Sequence, residues 1–127
     1  MPADGPRNPT TVEHTLIYKI CPRADWDTAL RDGVYHGSPD DRRDGFIHFS
    51  VRHQLAGTAA KHFHGQANLV LVSVDATALG TALRWEPSRG GDLFPHLYGS
   101  LPIAAARSVS DMPLDARGVP LVPESLA

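Results

Sequence analysis

The sequence predicts an α+β fold built from small mixed or antiparallel sheets, and three features carry that prediction. Several short runs are β-branched or aromatic and alternate with the two-residue period of strands. Only two stretches, both in the N-terminal half, show the i, i+3, i+4 spacing of amphipathic helices. Strands and helices do not alternate regularly, which argues against a doubly wound parallel sheet.

Composition narrows the function classes. The 127 residues suit one domain with a real core. Twelve basic and fourteen acidic side chains give a net charge of −2, so no overall basic field draws the chain to nucleic acid. Cys21 is the only cysteine, which excludes an internal disulfide and fits a reducing cytoplasm. No apolar run approaches the ~20 residues of a membrane span, and no basic-then-apolar leader opens the chain. A cytoplasmic protein is the expectation.

In chain order, residues 1–12 carry Pro2, Pro6 and Pro9 without a hydrophobic period and read as a flexible leader, with the domain proper over 13–127. His14 to Cys21 reads as a strand with Leu16, Tyr18 and Ile20 on one face and Ile17, Lys19 and Cys21 on the other. Lys19 either snorkels to solvent or meets a ligand. Ala24 to Asp32 predicts a helix with Trp26, Ala29 and Leu30 inward and Gly33 as its C-terminal cap. The charged run Asp40 to Asp44 reads as solvated loop or lid, after a small strand at Val34 to His36. Phe46 to Phe49 predicts a strand, and Ser50 an N-cap for a helix over 51–63 whose buried face is Val51, Leu55, Ala59 and Phe63.

Leu69 to Val74 is nearly continuously apolar, as a strand covered on both faces should be. A turn or helical piece over 75–79 leads to a strand at Leu83 to Glu86, with Leu83 and Trp85 inward and Arg84 and Glu86 on the opposite face. Leu93 to Gly99 is dense in aromatic residues and carries His96. Ile103 to Val109 predicts a last strand, before an extended tail on which Leu121 and Val122 dock.

The stretch Asp44-Gly45-Phe46-Ile47-His48-Phe49-Ser50 organises the rest. Asp-Gly is a turn signal, and the strand after it sends Phe46, His48 and Ser50 to one face and Ile47 and Phe49 to the core. His48 then stands at a cleft floor or serves as a structural histidine. His62 and His64 make only a weak metal pattern, and no metal site is predicted.

Three stretches together carry a resemblance: Ile17-Tyr18-Lys19-Ile20, the Asp44 to Ser50 run, and Leu83-Arg84-Trp85-Glu86 followed by Phe94-Pro95-His96-Leu97-Tyr98-Gly99. From about Ile17 to Val122 the chain resembles the bacterial domain-of-unknown-function family 952, which has no established activity. The resemblance implies a compact ADP-ribosyltransferase-like fold, with split sheets around a cleft that holds NAD in active relatives. On that reading Lys19 meets the ribose, the His48-Phe49-Ser50 run lies near nicotinamide, and Glu86 is the catalytic carboxylate. His48 and Glu86 are the expected catalytic pair. Tyr18, Lys19, Ser50, Arg84, His96 and Tyr98 are the expected ligand-binding residues.

Two functions remain open on these residues. One is a transferase or glycohydrolase that breaks the nicotinamide–ribose bond, which calls for a positioned substrate and a carboxylate where positive charge develops. The other is a catalytically silent module that binds a small nucleotide-like molecule or a protein. Transfer of an RNA 2′-phosphate, a redox role for Cys21 and a histidine metal site are weaker readings.

Overall fold

The computed structural model describes residues 15–124; the predicted leader and His14, the first residue of the predicted first strand, lie outside that range. Eight strands and three α-helices follow one another among the described residues: β1 (Leu16–Pro22), α1 (Arg23–Asp32), β2 (Val34–Tyr35), α2 (Pro39–Asp44), β3 (Ile47–His48), α3 (Leu55–His62), β4 (Leu69–Asp75), β5 (Leu83–Pro87), β6 (Leu93–Leu97), β7 (Leu101–Pro102) and β8 (Ala106–Met112). All strand pairs are antiparallel. They make a β1-β4-β8 sheet, a β3-β6-β5 sheet and a small β2-β7 pair.

The first sheet bears out the sequence patterning. β4 lies between β1 and β8, and both its faces are buried. On one face Ile17, Cys21, Val70, Val72 and Val74 pack with Trp26 and Ala29 of α1 and with Tyr35, Ile47, Phe49 and Leu97. On the other, Tyr18, Ile20, Leu69 and Leu71 meet Leu55 and Ala59 of α3. The two sheets meet at Tyr18 and Ser50, which exchange both backbone hydrogen bonds at 2.8 and 2.9 Å. That junction places the histidine strand beside β1.

Several expectations are corrected. The charged run is a helix with a capping box: Ser38 Oγ accepts from the Asp41 N–H, the Asp41 carboxylate accepts from the Ser38 N–H, and Pro39 fills the first turn. Ser50 does not cap the next helix. It is taken up by the Tyr18 bridge, and a 3₁₀ turn over Arg52–Gln54 precedes α3, with the Val51 N–H donating to the Gln54 side chain. Leu30 and Trp85 face outward, 53% and 41% exposed, because α1 buries only Trp26 and Ala29 and β5 is an edge strand. Residues 103–105 form a 3₁₀ turn rather than strand. In the tail, Val122 packs on the second core while Leu121 is exposed.

Candidate functional site

The site grows from a short length of backbone. α2 ends at Gly45, left-handed at φ 88°, and the chain turns directly into β3. A six-residue helix therefore delivers Asp41 and Asp44, and the strand just beyond it delivers His48. The Asp41 side chain is 2% exposed, yet both its oxygens are satisfied. Lys19 Nζ lies 3.1 Å from Oδ1 and 2.8 Å from Oδ2. The His48 backbone N–H and ring Nδ1 reach Oδ1 at 3.2 and 2.6 Å, and the Ser38 N–H donates to Oδ2 at 2.9 Å.

Lys19 thus does not snorkel; it is buried and ion-paired. Burial pushes the Asp41 carboxyl up, but the His48 hydrogen bond and the Lys19 ammonium outweigh it and hold the group well below the ordinary carboxylate range. Gly37 makes the close packing feasible. Its φ is 103°, and a Cβ there would stand 2.8 Å from Asp41 Cβ.

A carboxylate can only accept, so Nδ1 of His48 carries the proton shared with Asp41. On the far side of the ring, Nε2 lies 2.9 Å from Asp44 Oδ2. The imidazole is therefore held between two carboxylates, one buried and fixed, the other at the surface.

A second carboxylate–histidine pair faces the first. His96 sits directly opposite His48 in the β3-β6 register, and its Nδ1 donates to Glu86 Oε1 at 2.7 Å. The Tyr98 hydroxyl donates to the same oxygen at 2.7 Å, and the Arg84 guanidinium lies 4.6 Å from the Tyr98 ring centroid. Hydrogen bonds from His96 and Tyr98 hold the Glu86 carboxyl below its ordinary value. Phe46 lies between the pairs, stacked on His96 at 4.0 Å and 4.6 Å from His48; the imidazole centroids are 5.5 Å apart.

Both histidines line one cavity of about 210 Å³. Tyr18, Lys19 and Ser50 line it too, with Asp40, Asp41 and Asp44 on the α2 side and Phe49, Phe63 and Phe94 as apolar wall. Glu86, Arg84 and Tyr98 are not among its lining: they stand behind His96, so Glu86 reaches the cavity through the imidazole. Ser50 contributes backbone to the sheet junction and its hydroxyl to a 3.0 Å hydrogen bond with Thr58.

Asp41, Asp44 and Phe46 contact the cavity histidines and are not among the site residues expected from the sequence. The signal was present as Ser-Pro-Asp-Asp followed by Gly45, a capping sequence that turns a charge run into a helix with one carboxylate pointing in. His62 lines the cavity, whereas His64 bonds the Arg117 carbonyl. Among the described residues, no group of three or more His, Cys, Asp or Glu side chains is placed to hold a metal. Cys21 is buried, which pushes its thiol up to about 12. No helix in the described residues is long and apolar enough to cross a membrane.

Fold and site define a small α+β protein of antiparallel sheets with a histidine-lined pocket. The chain belongs to the family described as Protein of unknown function (DUF952), whose model matches residues 20–109. It is 54% identical to CC0527 from Caulobacter crescentus, whose crystal structure superposes with a TM-score of 0.83 over 84% of this chain and 94% of that one. The solution NMR structure of CC0527, also 54% identical, gives 0.75 over 83% and 90%. A comparison with curated proteins found no match.

Proposed function

We propose that the cavity binds the ring-and-ribose end of a nucleotide-type small molecule, with NAD or ADP-ribose as the leading class, and that His48 is its acid–base group. One observation carries the reading: two histidines, each with Nδ1 fixed by its own carboxylate, line a single aromatic-walled cavity. Fixing Nδ1 orients the ring and aims the other nitrogen, which is how carboxylate–histidine pairs prepare proton transfer.

The size fits part of such a ligand. At about 210 Å³ the cavity is below the ~300–1,000 Å³ usual for whole drug-sized molecules, so one end of a dinucleotide enters and the rest lies across the mouth. Asp40, Asp41 and Asp44 outnumber Lys19 and Arg43 in the lining, and that excess favours a group that is cationic or becomes so, as a nicotinamide ring and its ribose do. Bound NAD would supply a glycosidic bond whose leaving group departs neutral, taking the bonding electron pair. Asp44 would face the positive charge that develops at the ribose. In the neutral ring, with its one proton on Nδ1 and Nε2 released from Asp44, His48 Nε2 would accept the proton of the attacking water or hydroxyl, while Asp41 holds the resulting imidazolium.

Two antiparallel sheets joined at Tyr18 and Ser50 beside a cleft support the likeness to an ADP-ribosyltransferase-type split sheet. A second reading, binding without turnover, is favoured by the position of Glu86: the expected catalytic carboxylate serves His96 and Tyr98 instead of lining the cavity.

Thermal-shift titration with NAD, ADP-ribose, nicotinamide and AMP tests the site. A ligand that binds only the native state at a hundredfold excess over Kd adds about 2.7 kcal/mol of stability. A shift with NAD or ADP-ribose that disappears in His48→Ala, with the fold intact by circular dichroism, is the expected result. The same shift in the variant would remove the cavity from the account. Chromatographic detection of nicotinamide released from NAD then separates turnover from silent binding.

A further inference from the structure

We infer that the outer edge of β5 is a docking surface for a second copy of this chain, strand against strand, about a two-fold axis through Trp85. β5 ends the β3-β6-β5 sheet, so one side of its backbone has no strand neighbour among the described residues. The Tyr98 N–H donates to the Ala82 carbonyl, and antiparallel hydrogen bonding alternates along a strand. Arg84 and Glu86 therefore point their backbone groups at β6, and Leu83, Trp85 and Pro87 point theirs outward. The Leu83 N–H is already donated to Gly80, and Pro87 has none. Trp85 is left with both its N–H and its C=O at the open edge.

The side chains make this edge self-complementary. Trp85 is exposed, and Leu93, opposite Pro87 on β6, is exposed on the same face. Arg84 and Glu86 flank Trp85 on the other face. If Trp85 pairs with the partner's Trp85, Arg84 falls opposite the partner's Glu86 and Glu86 opposite the partner's Arg84. Slipping the pairing by two residues in either direction sets Arg84 against Arg84 or Glu86 against Glu86, a destabilising arrangement of like charges. Charge thus selects a single register, and that register is isologous, as a two-fold dimer requires.

The other long edge shows what a protected strand looks like here. On β8 the exposed Val109 lies between Arg107 and Asp111, which are ion-paired with Asp75 and Arg23. Charges on the exposed face are a usual guard against edge pairing. On β5 the face of Leu83, Trp85 and Pro87 carries no such charge: Leu83 packs on the core, and Trp85 and Pro87 are exposed beyond it.

An edge contact of this kind is small, so dimerisation is reversible and concentration-dependent. Sedimentation equilibrium of the full chain from micromolar to millimolar concentration should show a monomer–dimer equilibrium. Trp85→Lys should abolish it while the circular dichroism spectrum stays that of the folded wild type, because the side chain is 41% exposed. Arg84→Glu and Glu86→Arg should each be monomeric alone and form a heterodimer when mixed. Arg84→Glu should also weaken the dimer more than Arg84→Ala, a comparison that leaves the Glu86–His96 contact untouched. A wild type that stays monomeric throughout would overturn the inference. So would a Trp85→Lys dimer, or equal effects of the two Arg84 substitutions.

Discussion

The two histidines of the cavity are built alike and supported differently. Each donates Nδ1 to a carboxylate, at 2.6 Å for His48 and 2.7 Å for His96. The carboxylate behind His48 is Asp41, buried, shared with the Lys19 ammonium and with two backbone N–H groups. The one behind His96 is Glu86, a third exposed, shared with a surface tyrosine. The ring positions are inverted as well: His96 is buried while more than a third of the His48 side chain is exposed. A buried carboxylate holding an exposed imidazole fixes the ring and leaves it accessible. An exposed carboxylate behind a buried imidazole chiefly satisfies a polar ring in an aromatic stack. On the proposed reading, that contrast gives proton transfer to His48 and positioning to His96.

The largest test of that contrast removes Asp41. Asp41→Ala leaves the Lys19 ammonium buried without its partner, and breaking a buried ion pair in this way costs about 3–5 kcal/mol. Urea unfolding should show it, and a cost under about 1 kcal/mol would mean that the pair is not integral to the fold. The same group sets a pH dependence. Its folded pKa is lowered, so its contribution is complete above the unfolded carboxylate value of 3.8 and is lost as pH falls below that toward the folded value. Asp41→Asn should show lower stability at neutral pH and a flatter decline in acid than the wild type.

A smaller effect is expected at Gly37, which touches Asp41 without sharing its charge. Gly37→Ala forces a Cβ into a left-handed position and against Asp41 Cβ, at a cost of about 1–3 kcal/mol. Proton–nitrogen correlation spectra should show the His48 ring resonances displaced more than those of His96. Equal displacement would show that the two imidazoles are not supported independently.

Smallest is the effect of Glu86→Ala on stability. The carboxylate is partly exposed and its partners lie at the surface or in an aromatic stack, so the melting temperature should stay near that of the wild type. The expected change is local: the His96 Nδ1 proton loses its acceptor and its resonance shifts, while His48 keeps its own. A melting point lowered as far as in Asp41→Ala would erase the distinction between the two corners.

Period and local chemistry were enough to place part of this molecule. Alternation in Leu16 to Cys21 put Lys19 and Tyr18 on opposite faces, and the nearly continuous apolar run Leu69 to Val74 identified the central strand. Tyr18, Lys19, His48, Ser50 and His96 were singled out by the family resemblance, and all five line the cavity, although alternation alone sets Tyr18 and Lys19 on opposite faces of β1. Partners across the fold were not readable. Asp41 lay in a run of five charges, and such a run is ordinarily solvated. Folding Lys19 and His48 over one carboxylate of a six-residue helix made it the most buried charge of the site. Glu86 alternated correctly but stood behind His96 rather than in the cavity, a displacement set by the β5-β6 register. Trp85 looked like core because tryptophan usually is, and it is exposed because its strand is the last in its sheet. Period fixes which face a side chain takes; what stands on that face depends on contacts between residues far apart in the chain, and those form only when the sheets close around them.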